Sequence, residues 1–289
     1  MLENTKIREI ERELGRLRDE SAEPGRGPNQ RTSVMTHMAW VPERWVEAAT
    51  RTLEGMQERH PSRTILLFPR PDESESSLAA DVDLRCFARG AREGGVCFEV
   101  VQLCLNGERA HAPGSVVAPL LLPDLPVFLR WRGEPRFGEG ELEQLVDLAD
   151  RLVVDSSEWA EPEESYGRLP DLFERIVVSD IAWTRVEPWR YALAALWPGI
   201  ADAAEVRVAG PRADALLLSG WLRGRLGRDV ELHHEPAGEI ELVEVDGDAV
   251  EAARAGEKSA SDLLSDQLEL FSRDPIYEEA VRSFSRVPT

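Results

Sequence analysis

Ile7, Ile10, Leu14 and Leu17 recur at helical spacing on an otherwise charged segment, which predicts an amphipathic helix over residues 3 to 20. Its apolar stripe is narrow, so it packs on one surface, either the chain's own body or another subunit. Ser21 to Gln30, with Pro24, Gly25, Gly27 and Pro28, reads as a linker. Thr32 to Val41 then predicts a strand, Pro42 to Arg59 a helix with proline in its first turn, and Arg63 to Phe68 a second strand. Val82 to Ala88 and Val96 to Leu105 read as two strands of an antiparallel hairpin joined through Arg89-Gly90 and Gly94-Gly95.

The densest apolar run lies between Gly114 and Gly133. Ser115 stands where an N-cap oxygen is wanted, ahead of a short helix carrying Val116, Val117, Leu120, Leu121 and Leu122. Pro123 and Pro126 end that helix, and Val127 to Trp131 follow as an interior strand closing on an Arg132-Gly133 turn. Broken by two prolines and an aspartate, the run is too short to span a bilayer. Its Arg130, Trp131 and Arg132 stand at a strand C-terminus, where open α/β sheets bind their ligands.

Downstream, Glu141 to Leu148 predicts a helix, Leu152 to Asp155 a buried strand, Tyr166 to Arg175 a helix and Ile176 to Val178 a strand. A turn at Asp180 to Trp183 leads to a helix opened by Pro188 and carrying Trp189, Leu193 and Leu196. Val206 to Gly210 is a strand, Ala213 to Leu226 a helix, and Val230 to His234 and Ile240 to Val245 are two strands in hairpin order. Helices over Leu263 to Phe271 and Tyr277 to Phe284 complete the pattern. The expected fold is α/β, with mixed sheets and flanking helices in two α/β halves. Residues 1–30 form the N-terminal helix and linker, 31–160 the first half, and 161–289 the second with its closing helices.

Charge narrows the function. The chain carries 54 acidic and 34 basic side chains, a formal net charge of −20, which disfavours nucleic acid or an anionic membrane as partner. Its three cysteines, Cys86, Cys97 and Cys104, form no CxxC pair, and the first residues read as a charged helix instead of a signal peptide. The expectation is a cytoplasmic protein with reduced thiols. Cys97 and Cys104 differ in parity on one strand, so they face opposite sides of the sheet and are not expected to pair.

Catalytic groups are scarce. Of five histidines, His233 and His234 are neighbours on a strand and point to opposite faces, while His37, His60 and His111 lack a partner at ligand spacing. There is no GxSxG, HExxH or Walker A sequence, and Pro211 removes a donor from the glycine turn that would otherwise suit a nucleotide. No catalytic residue, metal site or cofactor is therefore expected. Asp180, Trp183, Arg185, Glu187, Trp189 and Arg190 fall within one short segment and combine guanidiniums, carboxylates and indoles, as interface hot spots do. Arg63, Arg130, Trp131, Arg132, Asp180, Trp183, Arg185, Trp189 and Arg190 are the candidates for partner or anion binding, the alternative being an internal Arg/Asp network. A phosphate held by Arg63, Arg185 and Arg190 would require the two halves to face each other.

The run PLLLPDLPVFLRWRG resembles the hallmark segment of the glucose-6-phosphate dehydrogenase assembly protein (OpcA) family. His60-Pro61-Ser62-Arg63, ADRLVVDS from Ala149, DIAWTR from Asp180, Pro188-Trp189-Arg190 and Gly220-Trp221-Leu222 resemble that family's other landmarks in the same order. The resemblance spans roughly residues 31 to 285. It implies a non-catalytic subunit that promotes assembly and activity of the NADP-linked dehydrogenase opening the oxidative pentose phosphate pathway. The partner implied is glucose-6-phosphate dehydrogenase, with a homo-oligomer also open, and without nucleic acid, membrane or cofactor. Thioredoxin control, attached to some members from photosynthetic bacteria, is not carried over, because no cysteine pair stands near the C-terminus. A competing expectation is a sugar-phosphate or nucleotide-binding enzyme with its site at the strand ends, near Asp155, Ser156, Asp180 and Arg185. A pure scaffold would bind the dehydrogenase and change nothing else.

Overall fold

The computed structural model describes residues 2–21, 30–31, 33–56, 61–87, 96–252 and 258–284. The linker at 22–29, the hairpin tip at 88–95 and His60 lie outside the described residues. Along the chain come α1 (Ile7–Ser21), β1 (Gln30–Arg31), β2 (Met35–Trp40), α2 (Val46–Met56), β3 (Ser62–Arg70), β4 (Ser77–Phe87), β5 (Val96–Asn106), α3 (Pro113–Val117), β6 (Val127–Trp131), α4 (Gly140–Val146) and β7 (Arg151–Val154). There follow α5 (Pro162–Arg168), α6 (Pro170–Phe173), β8 (Val177–Asp180), α7 (Ile181–Arg185), α8 (Glu187–Ala195), β9 (Glu205–Gly210), α9 (Arg212–Leu226), β10 (Glu231–Pro236), β11 (Leu242–Val245), β12 (Asp248–Ala249), α10 (Ala260–Leu268) and α11 (Pro275–Arg282). Mixed sheets with flanking helices make this an α/β fold. Two compact units emerge, Met1–Val153 with Ala260–Glu269, and Val154–Ser259 with Leu270–Thr289.

In the first unit the strands β5, β3, β2, β6 and β7 lie side by side and parallel, with β4 antiparallel on β5. From β2 the chain steps one way to β3 and β5 and later the other way to β6 and β7, so the strand order reverses between β2 and β6. All six residues of β2 and all five of β6 are buried, as strands covered on both faces must be. The N-terminal segment docks on its own body. Leu2 exchanges backbone hydrogen bonds with Ala80 of β4, Thr5 donates its N–H to Leu78, and Ile10 and Leu14 of α1 are fully buried.

Besides the division of the expected 166–175 helix into α5 and α6 at Pro170, three local expectations are corrected. Ser115 is not an N-cap: the helix begins at Pro113, and the Ser115 hydroxyl donates instead to the Ala112 carbonyl (2.8 Å). Cys86 and Cys97 are not reduced thiols. They stand opposite each other in the β4–β5 register, with Cα atoms 4.1 Å apart, and form a disulfide, leaving Cys104 as a free thiol. Parity along one strand separates Cys97 from Cys104 but says nothing about the residue facing it across the hairpin.

The third correction concerns the second unit. β10 and β11 are not hairpin partners, because β9 lies between them, parallel to β10 and antiparallel to β11. The valines Val206, Val208 and Val243 are completely buried, and α9 packs against β9 and β10. Ten consecutive residues of α9, Ala213 to Leu222, are buried, because α11 covers it as well. At the crossing stands Gly220. A Cβ there would lie 2.5 Å from the Ala280 carbonyl oxygen and 2.6 Å from the Phe284 ring, so glycine is what allows the two helices to approach.

Candidate functional site

Where the first sheet reverses its strand order, β2 and β6 end in Trp40 and Trp131, which are register partners. Their indoles stack with centroids 5.1 Å apart and planes at 13°. Trp131 is 3% exposed and donates its Nε1–H to the Glu134 carbonyl (3.2 Å). Arg130 is 2% exposed and donates to the carbonyls of Trp131 and Val153. Both belong to the interior. Arg132 emerges further: half-buried, it donates to the Thr52 hydroxyl (3.1 Å), and its guanidinium lies 5.8 Å from the centroid of the Trp45 ring. Exposed Arg44 approaches the same ring at 5.5 Å. Gly133, at φ +77°, completes the turn. A side chain there would be strained and would press on Trp45 Nε1 at 2.9 Å.

Arg63 stands at the opposite end of that sheet, at the start of β3. Only 2% exposed, it donates Nε–H to Glu99 (2.6 Å) and its Nη1 to Glu11 (2.6 Å) and to the Leu120 carbonyl (2.7 Å). Arg18 of α1 reaches Glu99 as well (2.6 Å). Burial pushes the Glu99 carboxyl up, but the flanking Arg63 and Arg18 outweigh it and leave its pKa below the usual carboxylate range. These pairs fasten α1 to the sheet.

In the second unit, Asp180 ends β8 and caps α7, its Oδ1 accepting the N–H of Ala182 (2.9 Å) and of Ser156 (3.1 Å). The Tyr166 hydroxyl donates to Ser156 Oγ at 2.7 Å and lies 3.4 Å from Asp180 Oδ2, as does that of Tyr277. Asp180 is 2% exposed. Burial, reinforced by the nearby Asp155 charge and opposed by the Ser156 and Ala182 hydrogen bonds, pushes its pKa up to about 6. Burial, with Asp180 adding to it, also raises both tyrosines well above their ordinary value.

Arg185 bridges Asp155 (3.2 Å) and Asp214 (3.1 Å). Burial works against its charge, but the two carboxylates outweigh that and raise its pKa. Trp183 donates Nε1–H to Asp274 (2.7 Å), the N-cap of α11, and the Arg190 guanidinium lies 3.6 Å from the Trp183 ring centroid. Trp189 is half-buried in α8. Asp180, Trp183, Arg185 and Arg190 thus form one network that ties α7 to α9 and α11.

Composition signals missed several members of this network. Tyr166 and Tyr277 lie far apart in sequence, and Asp214 sits inside an apolar helix. Asp274-Pro275, a cap followed by proline at the first helical position, was the one readable sign. An open hollow of about 570 Å³ lies on the solvent face of the second sheet, between Glu205, Arg207, His233, Glu235, Glu244 and Asp246. Its carboxylates outnumber its one guanidinium, so it suits a phosphate poorly. Among the described residues no three His, Cys, Asp or Glu side chains come together to hold a metal, and no helix is long and apolar enough to cross a membrane.

Two family models match the chain in order. The one described as the glucose-6-phosphate dehydrogenase subunit N-terminal domain covers residues 54–170, and the one described as the C-terminal domain covers 176–281. Among curated proteins, the chain is 27% identical over 199 residues to a protein of Synechococcus elongatus, covering 65% of this chain and 44% of that one. It is 28% identical over 238 residues to a protein of Nostoc punctiforme, covering 76% of this chain and 51% of that one. Both bear the provisional name OxPP cycle protein OpcA. The chain spans about half the length of these relatives. With the N- and C-terminal models matching consecutive stretches of the sequence, the chain belongs to the glucose-6-phosphate dehydrogenase subunit family.

Proposed function

We propose that this chain is a non-catalytic subunit of glucose-6-phosphate dehydrogenase, acting in the oxidative pentose phosphate pathway to promote that enzyme's assembly and activity. The observation that carries this is the ordered match of both family models. The chemistry of the strand ends supports it. Arg185, which a sugar-phosphate enzyme would need for its anion, is held between Asp155 and Asp214, and Asp180 is enclosed by Ser156, Tyr166 and Tyr277.

To activate, the subunit must bind the active conformer or oligomer of the dehydrogenase better than the inactive one, since only differential affinity shifts a population. A tenfold shift takes about 1.4 kcal/mol. Of the arginine and tryptophan candidates, Arg132, Arg185, Trp189 and Arg190 retain accessible surface, whereas Arg63, Arg130, Trp131 and Trp183 are buried.

The test mixes the purified chain with its cognate dehydrogenase and follows complex mass and glucose-6-phosphate kinetics together. A heavier complex with higher activity is expected. No change in either overturns the proposal, and turnover of a sugar phosphate by the chain alone would favour the enzyme alternative.

A further inference from the structure

Helix α8 buries Leu193, keeps Pro188, Trp189 and Ala192 half-buried, and turns Tyr191, Ala194 and Ala195 to solvent. Tyr191 is 70% exposed, Leu196 44% and Trp197 65%. From Ala194 to Gly199 every residue is exposed and none is charged, on a chain whose net charge is −20. Large aromatic and aliphatic side chains left in water beside an uncharged stretch mark an interaction site, because interface centres are enriched in Trp and Tyr and depleted of Lys, Glu and Asp. The base beneath is firm. Arg190, one residue before Tyr191, lies against Trp183, and Trp183 is tied to Asp274. Side chains on such a backed helix lose little freedom when a partner covers them.

We infer that the surface made by Tyr191 of α8 and by Leu196 and Trp197 just past its end is the one on which the dehydrogenase docks. This rests on the subunit role proposed above. Two observations choose that occupant over a second copy of this chain. The family is described as a subunit of the dehydrogenase, so its members need a face for that enzyme. A second copy would bring another −20 charges toward the first, and long-range repulsion opposes that encounter.

The experiment uses the full chain and its cognate dehydrogenase. Trp197→Ala and Tyr191→Ala are compared with the parent and with Val34→Ala, which truncates another exposed apolar residue (53% exposed), by titration calorimetry and complex mass. Circular dichroism and thermal midpoint confirm that the exposed substitutions leave the fold intact. Trp197→Ala is expected to weaken binding at least tenfold and Tyr191→Ala severalfold, with Val34→Ala unchanged. Parental affinity in both Trp197→Ala and Tyr191→Ala overturns this inference and leaves the subunit role standing. A parent chain that does not bind the dehydrogenase overturns both. Loss of self-association in Trp197→Ala with undiminished dehydrogenase binding assigns the face to a second copy and also overturns it.

Discussion

Asp180 does two things with one carboxyl: it caps α7 and Ser156 from Oδ1, and it meets two buried tyrosine hydroxyls on Oδ2. Its pKa of about 6 lies above the ordinary 3.8, so between those values the folded chain holds a proton that the unfolded chain has released. Stability from this group is therefore full below about pH 4, falls as pH rises through 6 and stays lower above, by about 3 kcal/mol. Asp180→Asn keeps an oxygen for the two N–H donors and offers an amide to the tyrosine oxygens, without the titration. Urea unfolding of both proteins at pH 4 and pH 7 should show the variant gaining on the parent by up to that amount at the higher pH. An equal difference at both would mean that Asp180 ionises without a burial cost. Arg63 illustrates the same point about site residues in another way. Its type suggested a partner, but its place at the start of a strand under α1 gave it Glu99 and Glu11 instead.

At the scale of elements, local signals located most helices and strands and failed where pairing decided the outcome. Proline and glycine bracket Val127–Trp131, and the alternation in Ser77–Phe87 and Val96–Asn106 is visible, because each is local. The insertion of β9 between β10 and β11 is not local, since strands close in sequence pair only when nothing better buried separates them. Pro170 divides α5 from α6 by the same local rule that the longer helical expectation over 166 to 175 overlooked. In the candidate site, the Asp180 to Arg190 segment was legible as a cluster, whereas Tyr166, Asp214 and Tyr277 join it only through the fold. The β4–β5 hairpin carries a measurable consequence of pairing. Thiol titration of the unreduced, denatured chain should find one reactive cysteine, Cys104, and three after reduction. Closing so short a loop contributes about 2–3 kcal/mol in the chain-entropy account, so Cys86→Ser should lower the unfolding midpoint to the value of the reduced parent. Three thiols before reduction would remove the disulfide from the folded protein.

For the whole molecule the dominant quantity is charge. With 54 acidic against 34 basic side chains, like-charge repulsion opposes compactness everywhere on the surface, while exposed pairs such as Arg16–Glu13 and Arg207–Glu244 give little back. The buried Arg63–Glu99 pair is shielded from mobile ions, so salt acts mainly on the repulsive excess. Raising NaCl from about 0.01 M to about 0.15 M shortens the screening length from about 30 Å to about 8 Å. That should stabilise the chain by on the order of 1 kcal/mol, raising the thermal midpoint by about 2 °C. Chloride is preferred to sulfate for this measurement because sulfate strengthens apolar burial by exclusion and would raise the midpoint whatever the charge balance. A midpoint that falls with NaCl would mean that attractive surface pairs outweigh the excess. The same screening bears on association. If the dehydrogenase docks on the uncharged Ala194 to Gly199 stretch as proposed, the contact is free of paired charges, and salt should change its arrival more than its departure.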